Sequence, residues 1–326
     1  MDVVRVTESG AERHTVAELD DLLAKNDLIW VDIPSCDDDA ARVLRDVFHF
    51  HPLAIRDCVE RNRVPRVHPY DDHVLVVMHT PERGRHGHVH YVELDLLIGP
   101  RYVITVHGPV NPAVPPEIPL RETQAVLRRI ESGRMHPSTP YELTRAIATT
   151  IARRQERFIE ELTSEVWALE QRVTGGHLGN PEQFLEEMFQ ARHGLVTVRT
   201  IAALDREVYN LLLTLRRAVP TEDRTFVEEI VDRFERVRSI ADGEKEYLQG
   251  VIEFYRTRTE TKMTVAAERL AVIAVVTLPI TALSSVLGMN LIVNDRTDFL
   301  LLSLVLLVMI AMSTLLLTWA KRQGWW

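Results

Sequence analysis

Gly288, Met289 and Asn290 are the residues of this chain whose types and position are best suited to chemistry. They follow an uncharged segment, Leu270–Leu287, and a second one, Phe299–Ala320, begins a few residues later. Backbone carbonyls and an asparagine amide offer neutral oxygen atoms, and a glycine gives the turn the freedom to direct them at an ion. We therefore expect an ion-binding turn at the end of an apolar helix.

The two uncharged segments are long enough to cross a membrane. The first contains 18 residues and the second contains 22. A hydrocarbon core is roughly 30 Å thick and a helix rises about 1.5 Å per residue, so each segment can span it. Uncharged runs of this length disfavour the alternative of two buried core helices. The sequence predicts a two-span membrane protein whose spans lie at the C-terminal end.

The part of the chain that precedes the spans is acidic. The formal net charge is −9, and the residues from Leu270 onward carry one more basic than acidic group, which leaves about −10 for residues 1–269. Such a body is a poor ligand for nucleic acid or anionic lipid and attracts cations. Ordinary solubilising charge explains most of the same excess. We expect no nucleic-acid partner.

The cysteines and the N-terminus indicate a reducing compartment and no secretory leader. Cys36 and Cys58 are the only cysteines and do not form a CxxC pair, so no disulfide framework is expected. The first residues contain no apolar stretch typical of a signal peptide.

The distribution of basic residues predicts the orientation of the spans. With two spans, both ends of the chain lie on the same side of the membrane. Basic residues flank the pair of spans, whereas the loop between them holds one arginine against two aspartates. By the positive-inside rule both termini are cytoplasmic. The flanking residues are Arg256, Arg258, Lys262, Arg269, Lys321 and Arg322, and Trp319, Trp325 and Trp326 fit an interfacial aromatic belt.

The first 110 residues predict a mixture of strands and helices. Short β-branched runs bounded by polar residues, glycine or proline indicate strands at Leu28–Ile33, Val74–Met78 and Tyr102–Val106. Helices are expected at Asp37–Arg45 and Pro52–Glu60, between the first two strands.

From about residue 140 the apolar pattern becomes helical. After a proline-rich connection at Gly108–Pro119, we expect helices at Tyr141–Val173 and Pro181–Val219, and a third from about Glu222 to Leu287 that runs into the first span. The third helix is on the order of 100 Å long, so it must pack on its neighbours or on copies of itself. Its apolar stripe comprises Phe226, Ile230, Phe234, Val237, Ala241, Leu248, Val251 and Tyr255.

Three alternating histidines, His86, His88 and His90, would face one way if they lay on a strand. Successive imidazoles would then be about 6–7 Å apart, too far for one ready-made tetrahedral metal site. The pattern favours a hairpin edge with solvated histidines over a zinc site.

Taken together, these features resemble the CorA family of magnesium channels. The resemblance rests on the long helix that enters the first span, Pro279–Thr281 midway along that span, Gly288-Met289-Asn290 at its end, and a short loop before a last span with a basic, aromatic tail. His51–Asp57 is similar to a segment of that family's cytoplasmic domain. The resemblance covers nearly the whole chain.

The family implies a membrane α-helical protein with a cytoplasmic α/β domain and a long stem helix continuous with the first span, assembled as a homopentamer. The implied segments are a cytoplasmic α/β domain (1–135), a helical hairpin with the stem helix (136–269), a pore-lining span (270–290), an outer loop (291–298), a second span (299–320) and a cytoplasmic tail (321–326). The implied location is the plasma membrane of a bacterium or archaeon, with lipid around the second spans.

With the family as guide, helical spacing counted back from Asn290 predicts one pore-lining face. Threonine hydroxyls at positions 281 and 264 would face the ion, and leucines at 278 and 270 would form apolar constrictions. Position 264 departs from relatives, which commonly have asparagine there. The predicted lumen residues are Ser285, Thr281, Leu278, Ala274, Leu270, Ala267 and Thr264.

Two further positions match the carboxylates at which relatives bind regulatory intracellular Mg²⁺ between neighbouring subunits. They are Glu82, just after the Val74–Met78 strand, and Glu229 on the long helix. Both are glutamate where relatives usually have aspartate. Solvated acidic side chains are an equally good explanation of the same residues.

The resemblance predicts a channel for Mg²⁺, and for Co²⁺ and Ni²⁺ by analogy, with Mg²⁺ as both the permeant and the regulatory ion. No phosphate-binding loop or kinase-like set is present in the sequence, so neither nucleotide-driven transport nor an enzyme is predicted. Two alternatives stay open: a zinc transporter of the same superfamily, and a membrane-anchored scaffold or sensor that conducts nothing.

Overall fold

A computed structural model describes residues 1–7, 10–25, 27–176, 179–215, 217–288 and 299–322. The chain divides into two compact units, Met1–Val251 and Ile252–Trp326. The strands are β1 Asp2–Thr7, β2 Gly10–His14, β3 Leu28–Ile33, β4 Arg66–Pro69, β5 Val74–Arg83, β6 Val89–Ile98 and β7 Tyr102–His107. The helices are α1 Leu19–Leu23, α2 Asp38–Asp46, α3 Pro52–Val59, α4 Glu117–Glu131, α5 Pro140–Gly175, α6 Pro181–Thr214, α7 Arg224–Gly288 and α8 Phe299–Arg322.

The seven strands form one sheet in the order β2-β1-β3-β7-β6-β5-β4. Only the β3–β7 pair is parallel, with Trp30 opposite Val103; the remaining neighbours are antiparallel. All six residues of β3 are buried, because this strand lies inside the sheet and is covered on both faces. The three predicted strands are confirmed as β3, β5 and β7.

Helices cover both faces of the sheet. On one face, α1, α2 and α3 supply Leu22, Leu44 and Cys58 to a core that also contains Val77 and Leu97. On the other face, α4, α5 and α6 pack against the strands. Because successive side chains of a strand point to opposite faces, Met78 faces away from that core, and its sulfur accepts a hydrogen bond from the hydroxyl of Tyr209 on α6.

Helices α5 and α6 have well-defined ends. The Thr139 side chain accepts from the backbone N–H of Glu142 at the start of α5, and α5 is followed by Gly176 in the left-handed conformation, with φ of 78°. Asn180 caps α6 by accepting from the N–H of Glu182. The predicted end of α6 at Val219 was wrong: the helix ends at Thr214, and a short 3₁₀ helix, Thr221–Asp223, precedes α7.

The predicted long helix is confirmed as α7, 65 residues without interruption. In the first unit its apolar stripe is buried, from Ile230 through Phe234 to Leu248. Phe226 is only half-buried, and the guanidinium of Arg145 lies 5.0 Å from the centre of its ring. Val227 takes the fully buried position instead.

The second unit contains the rest of α7 and the whole of α8. α7 continues as a helix through Pro279. Proline is tolerated in membrane-spanning helices because neighbouring groups can satisfy the freed backbone carbonyl. α8 ends with Lys321 and Arg322 in its last turn, where cations interact favourably with the helix dipole.

Candidate pore-lining and regulatory sites

The predicted pore-lining residues lie on the part of α7 that belongs to the second unit. Six of the seven have exposed side chains in the single chain, and Ala274 is half-buried. Leu278 and Leu270 are 66% and 67% exposed. Large apolar side chains exposed at this level require lipid or other protein around them.

Two of the predicted lumen residues are threonines whose hydroxyls bind the helix backbone. Thr264 Oγ1 donates to the carbonyl of Glu260 at 3.0 Å, and Thr281 Oγ1 donates to the carbonyl of Thr277 at 2.9 Å. Since the backbone takes up the hydroxyl hydrogen, the oxygen lone pairs remain available as acceptors. Each hydroxyl oxygen can therefore accept a hydrogen bond from water.

The Gly-Met-Asn turn falls almost entirely outside the described residues. Gly288 is the last residue of α7. Met289, Asn290 and the outer loop 291–298 lie outside the described part of the chain, so their predicted roles stay predictions.

Glu82, near the end of β5, is held by two arginines. Its Oε2 accepts from Arg154 Nη2 on α5 at 2.8 Å and from Arg121 Nη2 on α4 at 3.0 Å. Burial on its own would raise the pKa of Glu82, but the hydrogen bonds and positive charges of both arginines outweigh it, so its pKa lies below the ordinary value. The carboxylate is therefore ionised and already partnered.

The two arginines extend this contact into a larger network. Arg121 Nε also donates to Oε1 of Glu122 at 3.2 Å, and Arg154 Nη1 contacts Oε1 of Glu161 at 3.4 Å. Arg154 is buried with 8% of its side chain exposed, and Glu122 with 5%. Burial raises the pKa of Glu122 in spite of Arg121. Three carboxylates and two guanidiniums thus connect β5, α4 and α5.

Glu229, the second predicted regulatory residue, has a different partner. Its Oε2 accepts from Arg145 Nη1 on α5 at 2.9 Å, and 51% of its side chain is exposed. Within the single chain, Glu82 and Glu229 therefore form ion pairs with different arginines. Among the described residues no group of three or more histidine, cysteine or acidic side chains is placed to hold a metal ion. A site shared between subunits, as predicted, needs a second copy.

His86, His88 and His90 do not share one strand, so the condition for all three to face one way is not met. A 3₁₀ turn, Arg85–Gly87, joins β5 to β6, so His86 lies in the turn and His90 on β6. The rings of His88 and His90 are 4.8 Å apart, edge to face. The hairpin itself is confirmed by the antiparallel pairing of β5 with β6.

The chain is similar to known proteins over almost its whole length. A family model described as CorA-like Mg²⁺ transporter protein matches residues 25–322. This chain belongs to the CorA family.

Individual relatives agree with the family. The YfjQ protein of Bacillus subtilis is 24% identical over 306 residues, which cover 91% of this chain and 89% of that protein. The cobalt/magnesium transport protein CorA of Thermotoga maritima is 22% identical over 271 residues, covering 80% of this chain and 72% of that protein. The complete CorA magnesium transporter structure from Methanocaldococcus jannaschii has the same fold, with a TM-score of 0.79 at 17% identity, covering 100% and 99% of the two chains.

Family membership gives the class of this protein. CorA-family proteins are integral membrane transporters of divalent metal cations and are not enzymes. α7 and α8 are the two described helices long and apolar enough to cross a membrane, and 0% and 6% of their most apolar stretches are buried within the chain. The sequence prediction of a CorA-type fold with two C-terminal apolar helices is confirmed.

In this CorA-family chain, the arginine partners of Glu82 were missed by sequence reasoning. Arg154 carried a usable signal, because it occupies a core position of the α5 stripe between Ile151 and Phe158, and a buried arginine needs a carboxylate. Arg121 lies on α4, where Val126 and Ile130 have the spacing of a helix face but nearby prolines suggested a connection.

Proposed function

We propose that this protein is a divalent-cation channel that admits Mg²⁺ along the membrane potential. The observation that carries the proposal is an uncharged stretch of α7 that exposes a face of hydroxyls and leucines and leads into Gly288-Met289-Asn290, in a chain of the CorA family. Co²⁺ and Ni²⁺ are expected to pass through the same path.

The channel is proposed to be a homopentamer in the plasma membrane with both termini in the cytoplasm. Two helices cannot enclose a water-filled path, so several copies must contribute α7 to one axis. Two leucines of the predicted lumen face, Leu270 and Leu278, are exposed among the described residues of a single chain, which supports this arrangement. The second spans, α8, would then face lipid.

Selection is proposed to occur on the hydrated ion. Mg²⁺ loses its water reluctantly, so a ring of neutral oxygens that binds the hydration shell suits it better than a tight carboxylate cage. Five Asn290 amides and the Gly288 carbonyls would supply that ring. Met289 would shape the turn, and the Thr281 hydroxyls would line the pore below the ring. Leu278 and Leu270 would close the path by excluding water.

The membrane potential is sufficient to drive this uptake. Moving a divalent cation through 100 mV is worth roughly 4–5 kcal/mol, or about a thousandfold accumulation. Closure is proposed to follow the binding of internal Mg²⁺ to Glu82 of one subunit and Glu229 of its neighbour.

The test is ion flux into vesicles that contain the full chain, with the potential set by a potassium gradient and with EDTA inside. We expect Mg²⁺ entry that increases with inside-negative voltage and exceeds Zn²⁺ entry. Faster Zn²⁺ entry would favour a zinc transporter of the same superfamily. Absence of flux for both ions would favour a non-conducting membrane scaffold.

A further inference from the structure

The two apolar helices of the second unit both carry positive charge next to their uncharged stretches, on the predicted cytoplasmic side. On α7, Arg269 directly precedes the uncharged stretch that begins at Leu270. On α8, Lys321 and Arg322 directly follow the uncharged stretch that ends at Ala320. Because both stretches end at the same boundary of the hydrocarbon core, these three cations lie at one depth of the membrane. We call them the basic cluster.

The side chains of the basic cluster are available to an anionic ligand. Arg269, Lys321 and Arg322 are each exposed in the single chain, and none of them takes part in an ion pair between described residues. Arg256, earlier on α7, differs, because its Nε lies 2.8 Å from Oε1 of Glu260. Positive charge close to a membrane surface attracts anionic lipid headgroups.

Arg269 lies away from the predicted pore-lining face of α7. It follows Thr264 by five residues, which at about 100° per residue places the two about 140° apart around the helix. Glu268 lies closer to the lumen face, about 40° from Thr264. Val265 and Ile273, one turn before and one turn after Arg269, share its outward face and are 40% and 57% exposed. This outward face therefore offers a guanidinium for a lipid headgroup and apolar side chains for its acyl chains.

The tilt of the side chains brings the charges of the cluster to the level of the lipid phosphates. Side chains of a helix tilt toward its N-terminus. The N-terminal end of α7 is the cytoplasmic one, so Arg269 is directed out of the hydrocarbon toward the headgroups. The cytoplasmic end of α8 is its C-terminus, so Lys321 and Arg322 are directed back toward the membrane. Both helices thus direct cations at the polar layer, which is about 5–8 Å thick on each side of a bilayer.

We propose that Arg269, Lys321 and Arg322 bind the phosphate of an anionic phospholipid of the cytoplasmic leaflet, with its acyl chains against the outward face of α7. The depth of the cluster and the facing of Arg269 rest on the topology and the pore-lining face of the function proposed above. A phospholipid fits better than a free anion, because Ile273 lies one turn farther into the membrane than the guanidinium. A choline lipid fits less well, because its own cationic group is repelled by the cluster.

The test is the retention of added lipid by the full chain in detergent, measured by native mass spectrometry with phosphatidylglycerol and phosphatidylcholine as probes. The unaltered chain should bind phosphatidylglycerol more tightly, and sodium chloride should weaken that binding. Arg269→Gln should lower the affinity for phosphatidylglycerol about fivefold, and its combination with Lys321→Gln and Arg322→Gln should lower it on the order of a hundredfold. The affinity for phosphatidylcholine should stay unchanged in both variants.

Two further variants separate the local charge from other effects. Arg256→Gln is the matched control on the same helix, because Arg256 pairs with Glu260 and lies about 20 Å from Arg269 along the axis. Its affinity for phosphatidylglycerol should equal that of the unaltered chain. Arg269→Lys should keep most of the preference for phosphatidylglycerol, because an ammonium also binds phosphate. A purely structural role of Arg269 would not be rescued in this way.

Equal affinity of the unaltered chain for the two lipids, or an unchanged affinity for phosphatidylglycerol in the triple variant, would overturn the lipid site. Sodium phosphate that displaces the lipid more strongly than sodium chloride of equal ionic strength would overturn it in favour of a site for free anions. If the triple variant does not fold, the comparison of Arg269→Gln with Arg269→Lys carries the test.

Mg²⁺ flux into vesicles is measured separately, so that failure of the channel and failure of the lipid site can be told apart. A chain that prefers phosphatidylglycerol but passes no ion refutes the channel and keeps the lipid site. A chain that conducts Mg²⁺ but binds both lipids equally refutes the lipid site alone.

Discussion

Gln155 on α5 donates its Nε2 to Oδ2 of Asp205 on α6 at 2.9 Å, and also to the backbone carbonyl of His79 on β5 at 3.0 Å. All three residues are buried, with Gln155 and Asp205 fully inaccessible. Burial raises the pKa of Asp205 well above its usual range, outweighing the hydrogen bonds from Gln155 and His79. One neutral carboxyl and one amide therefore connect two long helices to the sheet.

Asp205→Asn should stabilise the protein at neutral and basic pH. Because the folded-state pKa lies above the unfolded one, the favourable contribution of the neutral acid is complete below the unfolded pKa and is lost as pH rises through the folded pKa. An asparagine amide has the same shape as the carboxyl group and does not ionise, so the variant does not lose this contribution as pH rises. We expect its free energy of unfolding to be higher by about 1–3 kcal/mol at pH 8, and unchanged near pH 4. Chemical denaturation of the full chain across this pH range measures it.

Asp242→Asn is the matched control with the opposite sign. Burial would raise the pKa of Asp242, but Arg199 and Lys245 outweigh burial and lower it. The stabilising contribution of Asp242 is therefore present above its unfolded-state pKa and is lost as pH falls through its folded-state pKa. The free energy of unfolding of this variant should be lower by less than about 1 kcal/mol, and only above about pH 4. If the two variants change stability in the same way with pH, Asp205 is not a buried neutral carboxyl.

Asn290→Ala should reduce Mg²⁺ uptake to the level of empty vesicles while leaving the oligomer intact, because the predicted ring would lose its amide oxygens. Flux into vesicles and the oligomeric size in detergent are measured on the same preparation. Asn294→Ala, the same change in the adjoining loop, should keep most of the uptake. Wild-type flux in Asn290→Ala would discard the selectivity role.

Leu278→Thr should increase flux at high internal Mg²⁺, by on the order of tenfold, because a hydroxyl ring wets a constriction that leucines keep dry. Ile273→Thr makes a comparable change on the same helix, away from the predicted lumen face, and 57% of Ile273 is exposed in the single chain. It should leave the closed-state flux low. Equal leaks in both variants would argue against a gate at Leu278.

Glu82→Ala combined with Glu229→Ala should blunt inhibition by internal Mg²⁺, because the proposed interface site would lose both carboxylates. The inhibition curve is measured with voltage held constant. Glu165→Ala, which removes the partner of Arg83, is the control and should leave the curve unchanged. A double variant that closes at the same internal Mg²⁺ as the unaltered chain would remove both residues from the regulatory site.

Gly194→Ala should destabilise the contact between α5 and α6 by about 1–3 kcal/mol. A Cβ at this position would lie 2.8 Å from a methyl carbon of Leu162, closer than two carbons can approach. Combining it with Leu162→Val should cost less than the sum of the two single changes, as measured by a double-mutant cycle in denaturant. Strict additivity would show that the two side chains do not meet.

Local pattern was enough to predict some elements and not others. β3 and β7 are short runs rich in β-branched residues, with Asp32 next to the last position of β3 and His107 at the last position of β7, so the sequence identifies them directly. β6 was missed because Glu93 and Asp95 interrupt its apolar run, although both are buried in the folded protein. α4 was missed because prolines surround its start, and the first turn of a helix tolerates proline where sequence reasoning expects a connection.

The sequence by itself determined the two long apolar segments, the uninterrupted helix α7, and the similarity that places the chain among divalent-cation transporters. These depend on length, periodicity and composition, which are local properties of the chain. Only the tertiary structure decided which charges meet, such as Arg154 with Glu82, which are 72 positions apart. Ion pairing depends on distances between separate elements, and those distances exist only once the sheet and helices have packed.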